Sequence, residues 1–276
     1  MTSLVNSLLL ATETATISVI FAAPMAWAVS RTNMPGKATV WALVLGAFIL
    51  PPYLGAIGWI LLAGPNAGFI NLAWRTLTGA GASATFSVLL ALLAAYIVTR
   101  KLVRFGEALG FLAMAPFVIP GIVMAIGFYA AFARPPFALY GTAAIIILAF
   151  TARFLPIAYA SASAAMGVLH PEMEEAARIL GCGRLRTIAR ITAPLLKKSL
   201  LGGWLIVFIV ATRELSAAIF LVGPNTRTMA VLLYDLSEAG NFEVAAALGG
   251  ILLALTLVLV AMGMALSGRD FMLRRG

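Results

Sequence analysis

The chain contains seven apolar runs, each close to the length that crosses a lipid bilayer. They cover about residues 7–29, 39–62, 82–99, 106–132, 141–163, 200–221 and 244–266. A helix needs about 20 apolar residues to cross ~30 Å of hydrocarbon, and the runs lack the alternation of barrel strands. With 62% hydrophobic and 11% charged residues, the chain has more apolar surface than a soluble core hides. The sequence therefore predicts an all-α, polytopic membrane helical bundle of about seven transmembrane helices.

The basic residues are concentrated on one side of the predicted spans. Of the 19 Lys and Arg residues, 14 fall in alternate loops and the C-terminal tail. Because short loops rich in Lys and Arg stay in the cytoplasm, we expect an inner-membrane protein with its N-terminus outside and its C-terminus inside. This topology accounts for the net charge of +9, so no nucleic-acid partner is expected. The 14 residues are Arg31, Lys37, Arg100, Lys101, Arg104, Arg178, Arg184, Arg186, Arg190, Lys197, Lys198, Arg269, Arg274 and Arg275.

The first part of the chain is repeated. A shift of 69 residues pairs residues 43–59 with 112–128, and a proline followed seven residues later by glycine coincides in both copies. We therefore expect a duplicated N-terminal hairpin at 1–80, without a charged loop of its own, and a core at 81–276. The first span lacks the basic leading region of a signal peptide and is expected to be retained. The first copy ends in a stretch at 64–81 that suits the outer membrane interface.

Prolines interrupt the second span in both copies, and three of them are candidate kinks. The three candidates are Pro51, Pro52 and Pro120. Proline removes one backbone hydrogen bond and bends a helix, so we expect a kink at each position. Broken spans often lie at a transport pathway or hinge, although an ordinary packing kink is an equal alternative.

Four ionisable residues fall inside predicted spans: Glu13, Arg153, Arg213 and Glu214. A charge at mid-bilayer costs on the order of 3 kcal/mol, so these side chains are expected to face protein or water. They are candidates for a transport pathway or for internal ion pairs. Arg213 and Glu214 point about 100° apart on a helix, so each is expected to pair with another span.

The densest charge lies in one loop, at 166–198. Pro171, three glutamates in the next four residues and Gly181 predict a short helix with a defined start and stop. A second, amphipathic helix follows and is expected to end at Pro194. Such a hairpin either docks a partner protein or rests on anionic lipid, and both alternatives stay open on these grounds.

The loop resembles the EAA loop of binding-protein-dependent ABC transporter permeases. That pattern runs E-A-A, three residues, G, nine residues, I, one residue, L-P, and here it departs only at Ala193, where leucine is usual. The resemblance implies that the first short helix inserts into a groove of a separate ATP-binding subunit. It also implies that Glu175 is a polar anchor and that Gly181 makes the turn. The implied coupling residues are Glu174, Glu175, Ala176, Ala177, Gly181, Ile191 and Pro194.

The same resemblance implies the fold, function and partners of the chain. It implies an ABC importer permease core working with a cytoplasmic ATPase, an extracytoplasmic solute-binding protein, and a second permease copy or half. Residues 212–250 resemble the ferric-iron subgroup, related to thiamine, polyamine and phosphonate permeases, and a shortened form of its fused permeases fits the repeat. The alternative is a scaffold or degenerate subunit that docks the ATPase without transport.

No sequence signal for catalysis is found in this chain. It contains no G-x-x-x-x-G-K-[ST], so ATP and Mg are expected on the partner ATPase. The single histidine, His170, offers no metal cluster, and no bound cofactor or metal is expected. A lipid-modifying membrane enzyme is disfavoured because the outer acidic residues, Asp235, Glu238 and Glu243, are spread along an amphipathic stretch.

Overall fold

The computed structural model describes residues 2–40, 60–64 and 68–267, and all regular structure in these ranges is helical. The chain divides into two units, Met1–Trp59 and Ile60–Gly276, which are described separately. The first contains α1, Thr2–Arg31. The prediction of an all-α membrane bundle is confirmed.

The second unit contains the other helices whose bounds are described. They are α2 (Phe69–Thr99), α3 (Gly106–Met114), α4 (Gly121–Phe132), α5 (Ala143–Val168), α6 (Glu172–Ile179), α7 (Arg184–Thr187), α8 (Ala193–Thr212), α9 (Ala218–Leu221), α10 (Met229–Glu238) and α11 (Phe242–Ser267). A short 3₁₀ turn, Ala115–Phe117, follows α3, and a π-turn, Ile188–Thr192, separates α7 from α8.

Five segments of the described chain are long and apolar enough to cross a membrane. They are Val5–Arg31, Phe69–Thr99, Ala143–Val168, Ile188–Thr212 and Phe242–Ala261. The pair Gly106–Phe117 and Gly121–Phe132 meets the same test together but bends by 109°. The predicted span at 39–62 falls mostly on residues 41–59, outside the described ranges.

The helix α2 begins earlier than the sequence predicts. The expected span starts near residue 82, whereas the helix starts at Phe69 and contains 31 residues. Its first turns are packed rather than lying alone at an interface, because Leu72, Thr76 and Ala80 are all buried. The stretch expected at the outer interface is therefore largely the beginning of α2, and the expected boundary at residue 80 falls inside it.

The helices α2 and α5 lie side by side through hydroxyl-to-backbone hydrogen bonds. Ser83 donates to the Ile147 carbonyl at 3.4 Å, and Ser87 donates to the Thr151 carbonyl at 3.1 Å. Both bonds join residues 64 positions apart, so the two helices run in the same direction and in register.

Small residues allow α8 to approach the same pair closely. Gly203 of α8 lies against Ser161 of α5, where a Cβ would come within 2.9 Å of the serine Cβ. On the α2 side, the Trp204 indole N–H donates to the Thr85 hydroxyl at 3.0 Å. Close approach at small residues is a general way of packing helices in lipid, where dispersion replaces the hydrophobic effect.

The span from α3 to α4 is broken between Val118 and Pro120. Pro116 lies in the 3₁₀ turn and Pro120 caps the N-terminus of α4, so two missing N–H groups fall within five residues. The structure places the predicted kink at Pro120 at this 109° break. Pro51 and Pro52 lie outside the described residues.

Pro194 does not end a helix, contrary to the sequence expectation. It lies in the first turn of α8, which continues to Thr212. The preceding π-turn widens the backbone where the proline ring would otherwise meet a carbonyl of the previous turn. The second half of the charged loop is therefore a helical approach to a membrane span.

Candidate functional site

The short helix α6 has defined signals at both ends. The backbone N–H groups of Glu174 and Glu175 donate to the Pro171 carbonyl at 3.0 and 3.1 Å. At the other end, Gly181 has φ +82°, and the Cys182 N–H donates to the Ala177 carbonyl at 3.0 Å. This is the six-to-one bond of a Schellman C-terminus, which favours glycine at the left-handed position.

The two faces of α6 differ in exposure. Glu174 and Ala177, three residues apart, are buried, with 4% and 6% of their surface exposed. Glu175 and Ala176 are exposed, and Ile179 is 86% exposed. We call Glu172, Glu175, Ala176 and Ile179 the outer face of α6.

Glu174 joins α6 to three other parts of the chain. Its carboxylate accepts hydrogen bonds from Arg100 Nε and Nη2, both at 3.1 Å, and from the Thr192 hydroxyl at 3.1 Å. Arg100 Nη2 also donates to the Leu169 carbonyl at 3.0 Å. Tyr96, one turn before Arg100, is buried beside the same carboxylate.

The remaining predicted coupling residues lie around the π-turn. Ile191 is half-buried and Pro194 is exposed, whereas Thr192 between them is fully buried. The structure thus brings the glutamates, the two alanines and Gly181 into one short helix and turn. Ile191 and Pro194 instead belong to the approach to α8, where neighbouring Ile188 and Ala193 pack on the core.

A second polar contact lies inside the membrane-spanning part. Arg153 Nε of α5 is 3.2 Å from Glu214 Oε2, just beyond the end of α8. Glu214 Oε1 accepts a hydrogen bond from the Ala217 backbone N–H at 3.0 Å. Arg153 Nε has no aligned hydrogen-bond acceptor among the described residues, so its contact with Glu214 is ionic rather than a directed hydrogen bond.

Arg153 also lies against the break between α3 and α4. A Cβ built on Gly121 would come within 2.8 Å of the Arg153 Cζ and 2.9 Å of both Nη atoms. A cleft of about 310 Å³ opens beside the break. Its lining residues are Pro116, Phe117, Val118, Ile119, Pro120, Arg153, Phe154 and Ile157. One guanidinium thus lies against both the break between α3 and α4 and the turn after α8.

The other two intramembrane candidates are Arg213 and Glu13. Arg213 is exposed and lines a mainly apolar groove of about 670 Å³ between α8, α10 and α11. Glu13 lies within α1, in the first unit. Within the described ranges, no three His, Cys, Asp or Glu residues are grouped as metal ligands.

Arg100 and Thr192 are site residues that no sequence pattern singles out. Arg100 is one of the many basic residues on the cytoplasmic side of the predicted spans, and Thr192 occupies the unspecified position of the loop pattern. The structure, rather than the sequence, marks Arg100 as unusual. Its side chain is only 13% exposed although it lies at the end of a span.

Residues 87–267 match the model of the family described as "Binding-protein-dependent transport system inner membrane component". This match includes the charged loop, both ends of the Glu174 contact and the Arg153–Glu214 ion pair. The chain belongs to this family of permeases, and the resemblance inferred from the loop pattern is confirmed.

Individual relatives agree with the family. The chain is 36% identical over 197 residues to the "Ferric transport system permease protein FbpB" of Actinobacillus pleuropneumoniae, covering 70% of this chain and 29% of that protein. This chain therefore spans less than a third of that relative. A putative 2-aminoethylphosphonate permease protein, PhnV, of Salmonella paratyphi A is 25% identical over 63% of this chain and 66% of its own length.

The fold agrees with a solved transporter. A chain of a bacterial ABC transporter that imports the polysaccharide alginate superposes with a TM-score of 0.59 at 19% identity. The superposition covers 84% of this chain and 95% of the other. At this identity the likeness supports the permease fold alone.

Proposed function

We propose that this chain is the permease subunit of an ATP-driven importer and that it binds a separate ATP-binding subunit through the outer face of α6. The observation that carries the proposal is the division of α6 into an anchored face and an outer face. Glu174 and Ala177 attach the helix to the bundle, which leaves Glu175, Ala176 and Ile179 available to a partner.

The composition of the outer face favours a protein partner over lipid. Ile179 on this face and Leu180, the next residue in the chain, are 86% and 84% exposed, so both are stabilised when another surface covers them. The same face carries Glu172 and Glu175, both exposed. Anionic headgroups would repel these carboxylates, whereas a groove with basic residues would attract them. A protein groove of that kind satisfies both the apolar and the acidic residues.

Transport requires more than binding at α6. The ATPase must bind one conformation of the permease better than the other, since a ligand without differential affinity shifts no equilibrium. We place ATP and Mg on that partner, with no cofactor on this chain and no enzymatic activity of its own. A second permease copy or half completes the pathway, and an extracytoplasmic binding protein delivers the solute.

The proposed solute is ferric iron. The support is the transport function for which the ferric permease relative is named, at 36% identity. Another small ion, a polyamine or a phosphonate is the wider class, since a relative named for a phosphonate also matches. We orient α6 toward the cytoplasm, with the N-terminus outside and the C-terminus inside, because of the basic loops.

Reconstitution in proteoliposomes tests the proposal. The full chain is combined with its cognate ATPase and ferric-loaded binding protein, and ATP-dependent iron uptake is measured. We expect uptake that requires all three proteins. If the chain binds the ATPase but supports no uptake of iron or any other delivered solute, the scaffold alternative holds instead.

A further inference from the structure

The two adjacent glutamates of α6 face in opposite directions. The Glu175 side chain is on the outer face, whereas the Glu174 side chain is only 5% exposed and paired with Arg100. The loop pattern begins at Glu175 and does not say which way Glu174 faces. Their surroundings differ, since Glu174 contacts the rest of the bundle through Arg100 and Thr192.

The contacts of Glu174 reach parts of the chain that belong to different membrane spans. Arg100 follows the last residue of α2, and Thr192 is the last residue of the π-turn that leads into α8. Through Arg100, the same contact reaches the Leu169 carbonyl at the end of α5. One carboxylate therefore connects α6 to the neighbouring ends of three spans.

The residues that link α6 to these spans by sequence are weaker connections. Leu169, His170 and Pro171 join it to α5 without helical structure, and a turn from Leu180 to Gly183 joins it to α7. Non-helical backbone has two soft dihedral angles at each residue and transmits a displacement poorly. A buried carboxylate held by three donated hydrogen bonds fixes both the position and the orientation of the helix.

We propose that Glu174 is a positioning residue that transmits the movement of the ATPase-bound α6 to α2, α5 and α8, and that it does not itself contact the ATPase. This inference rests on the proposed function, because it needs an ATPase at the outer face. It assigns separate tasks to two neighbouring residues: Glu175 binds the partner, and Glu174 carries the resulting displacement into the bundle.

The first test uses the purified chain alone. In a Cys182→Ser background, spin labels are placed at Met173→Cys on α6 and Leu93→Cys on α2, both on exposed side chains. Glu174→Gln keeps the shape of the side chain and removes its charge. We expect a narrow distance distribution to broaden in Glu174→Gln and to stay narrow in Glu175→Gln. Equal distributions in both variants would overturn the inference.

The second test uses the reconstituted transporter with ferric-loaded binding protein as the probe. Glu174→Gln is expected to retain ATPase binding and ATP hydrolysis while iron uptake per ATP falls about tenfold, within the usual range of coupling between sites. Glu107→Gln, an exposed glutamate in the first turn of α3, is the matched control. The charge exchange Arg100→Glu with Glu174→Arg is expected to recover uptake per ATP relative to either single variant.

The outcomes separate this inference from the proposed function. If Glu174→Gln loses ATPase binding in proportion to uptake, with iron per ATP unchanged, Glu174 only maintains the docking surface and the inference is wrong. If the unmodified chain binds no ATPase, the proposed function fails and the transmission role fails with it. The spin-label result then still reports whether Glu174 fixes α6 within the chain.

Discussion

Arg153 Nε and Glu214 Oε2 lie 3.2 Å apart, which joins the middle of α5 to the turn after α8. Arg153 is ten residues into α5, so it lies about 15 Å along the helix from the start. At that depth each charge is costly unless its partner is present. The pair therefore stabilises the bundle mainly by preventing two isolated charges.

Removing one member of this pair should destabilise the protein more than removing both. Glu214→Gln leaves the Arg153 guanidinium without its counter-ion. Arg153→Met leaves the Glu214 carboxylate without its counter-ion. Each is expected to cost about 3 kcal/mol, as for other buried pairs that lose one partner. Thermal unfolding in detergent measures the effect. The double variant Arg153→Met with Glu214→Gln should recover much of the loss, and additive losses would contradict the assignment.

A glycine at position 121 is expected to be needed for stability, because Arg153 fills the space that a side chain there would occupy. A Cβ at this residue meets the guanidinium at 2.8 Å, so Gly121→Ala must displace the charged group from Glu214. We expect a lowered unfolding temperature for Gly121→Ala. Gly127→Ala, also on α4, is the control because no described atom outside its own helical turn lies within 4 Å of its Cβ. In the background without the ion pair, Gly121→Ala should cost less, and an unchanged cost would exclude this explanation.

The cost of replacing Gly181, in the turn after α6, should come from its backbone conformation and not from a steric clash of the new side chain. Gly181 has φ +82°, yet no described neighbour lies within 4 Å of a Cβ built there. Gly181→Ala is therefore expected to cost about 1 kcal/mol from the left-handed conformation alone, and Gly181→Asn less. Gly181→Asp should uncouple ATP hydrolysis from uptake while the protein still inserts.

Gly183→Ala is the matched control for this turn. Gly183 lies two residues further on, has similar open space and does not have a positive φ. Binding of the ATPase to each variant is measured with purified proteins. Equal binding by Gly181→Ala and Gly183→Ala would mean that the Schellman turn does not position the outer face.

Charge reversal on the outer face should weaken the interaction with the ATPase. Glu175→Lys changes an exposed carboxylate into a cation without touching the contacts of Glu174. We expect the affinity for the ATPase to fall about tenfold, as for the loss of a charged contact at an interface. Glu107→Lys makes the same change at the start of α3 and should bind normally. A normal affinity for Glu175→Lys would place the docking surface elsewhere.

Sequence patterns predict α6 well because its signals are local. Pro171, the acidic first turn and Gly181 lie within eleven residues, and together they define where the helix begins and ends. The end of the second helix is not predictable in the same way. Proline commonly ends a helix, and at Pro194 only the preceding π-turn lets the helix continue into α8.

The side-chain partners are beyond sequence reasoning because they are distant in the chain. Arg100 is 74 residues from Glu174, and Arg153 is 61 residues from Glu214. The rule that buried charges pair predicts that partners exist, but the packing of α2, α5 and α8 against one another decides which residues meet. For the same reason, the pattern, which begins at Glu175, cannot show that Glu174 is buried and Glu175 is exposed.

The in-register bonds from Ser83 and Ser87 also determine how the chain passes from α2 to α5. Two helices that point the same way both start from the same side, so the polypeptide must return to that side after α2 before α5 can begin. The segment available for this return is the bent pair α3–α4. Despite its sharp angle, the pair is therefore expected to be a complete passage with a bend at its break, and not a loop that dips in and withdraws.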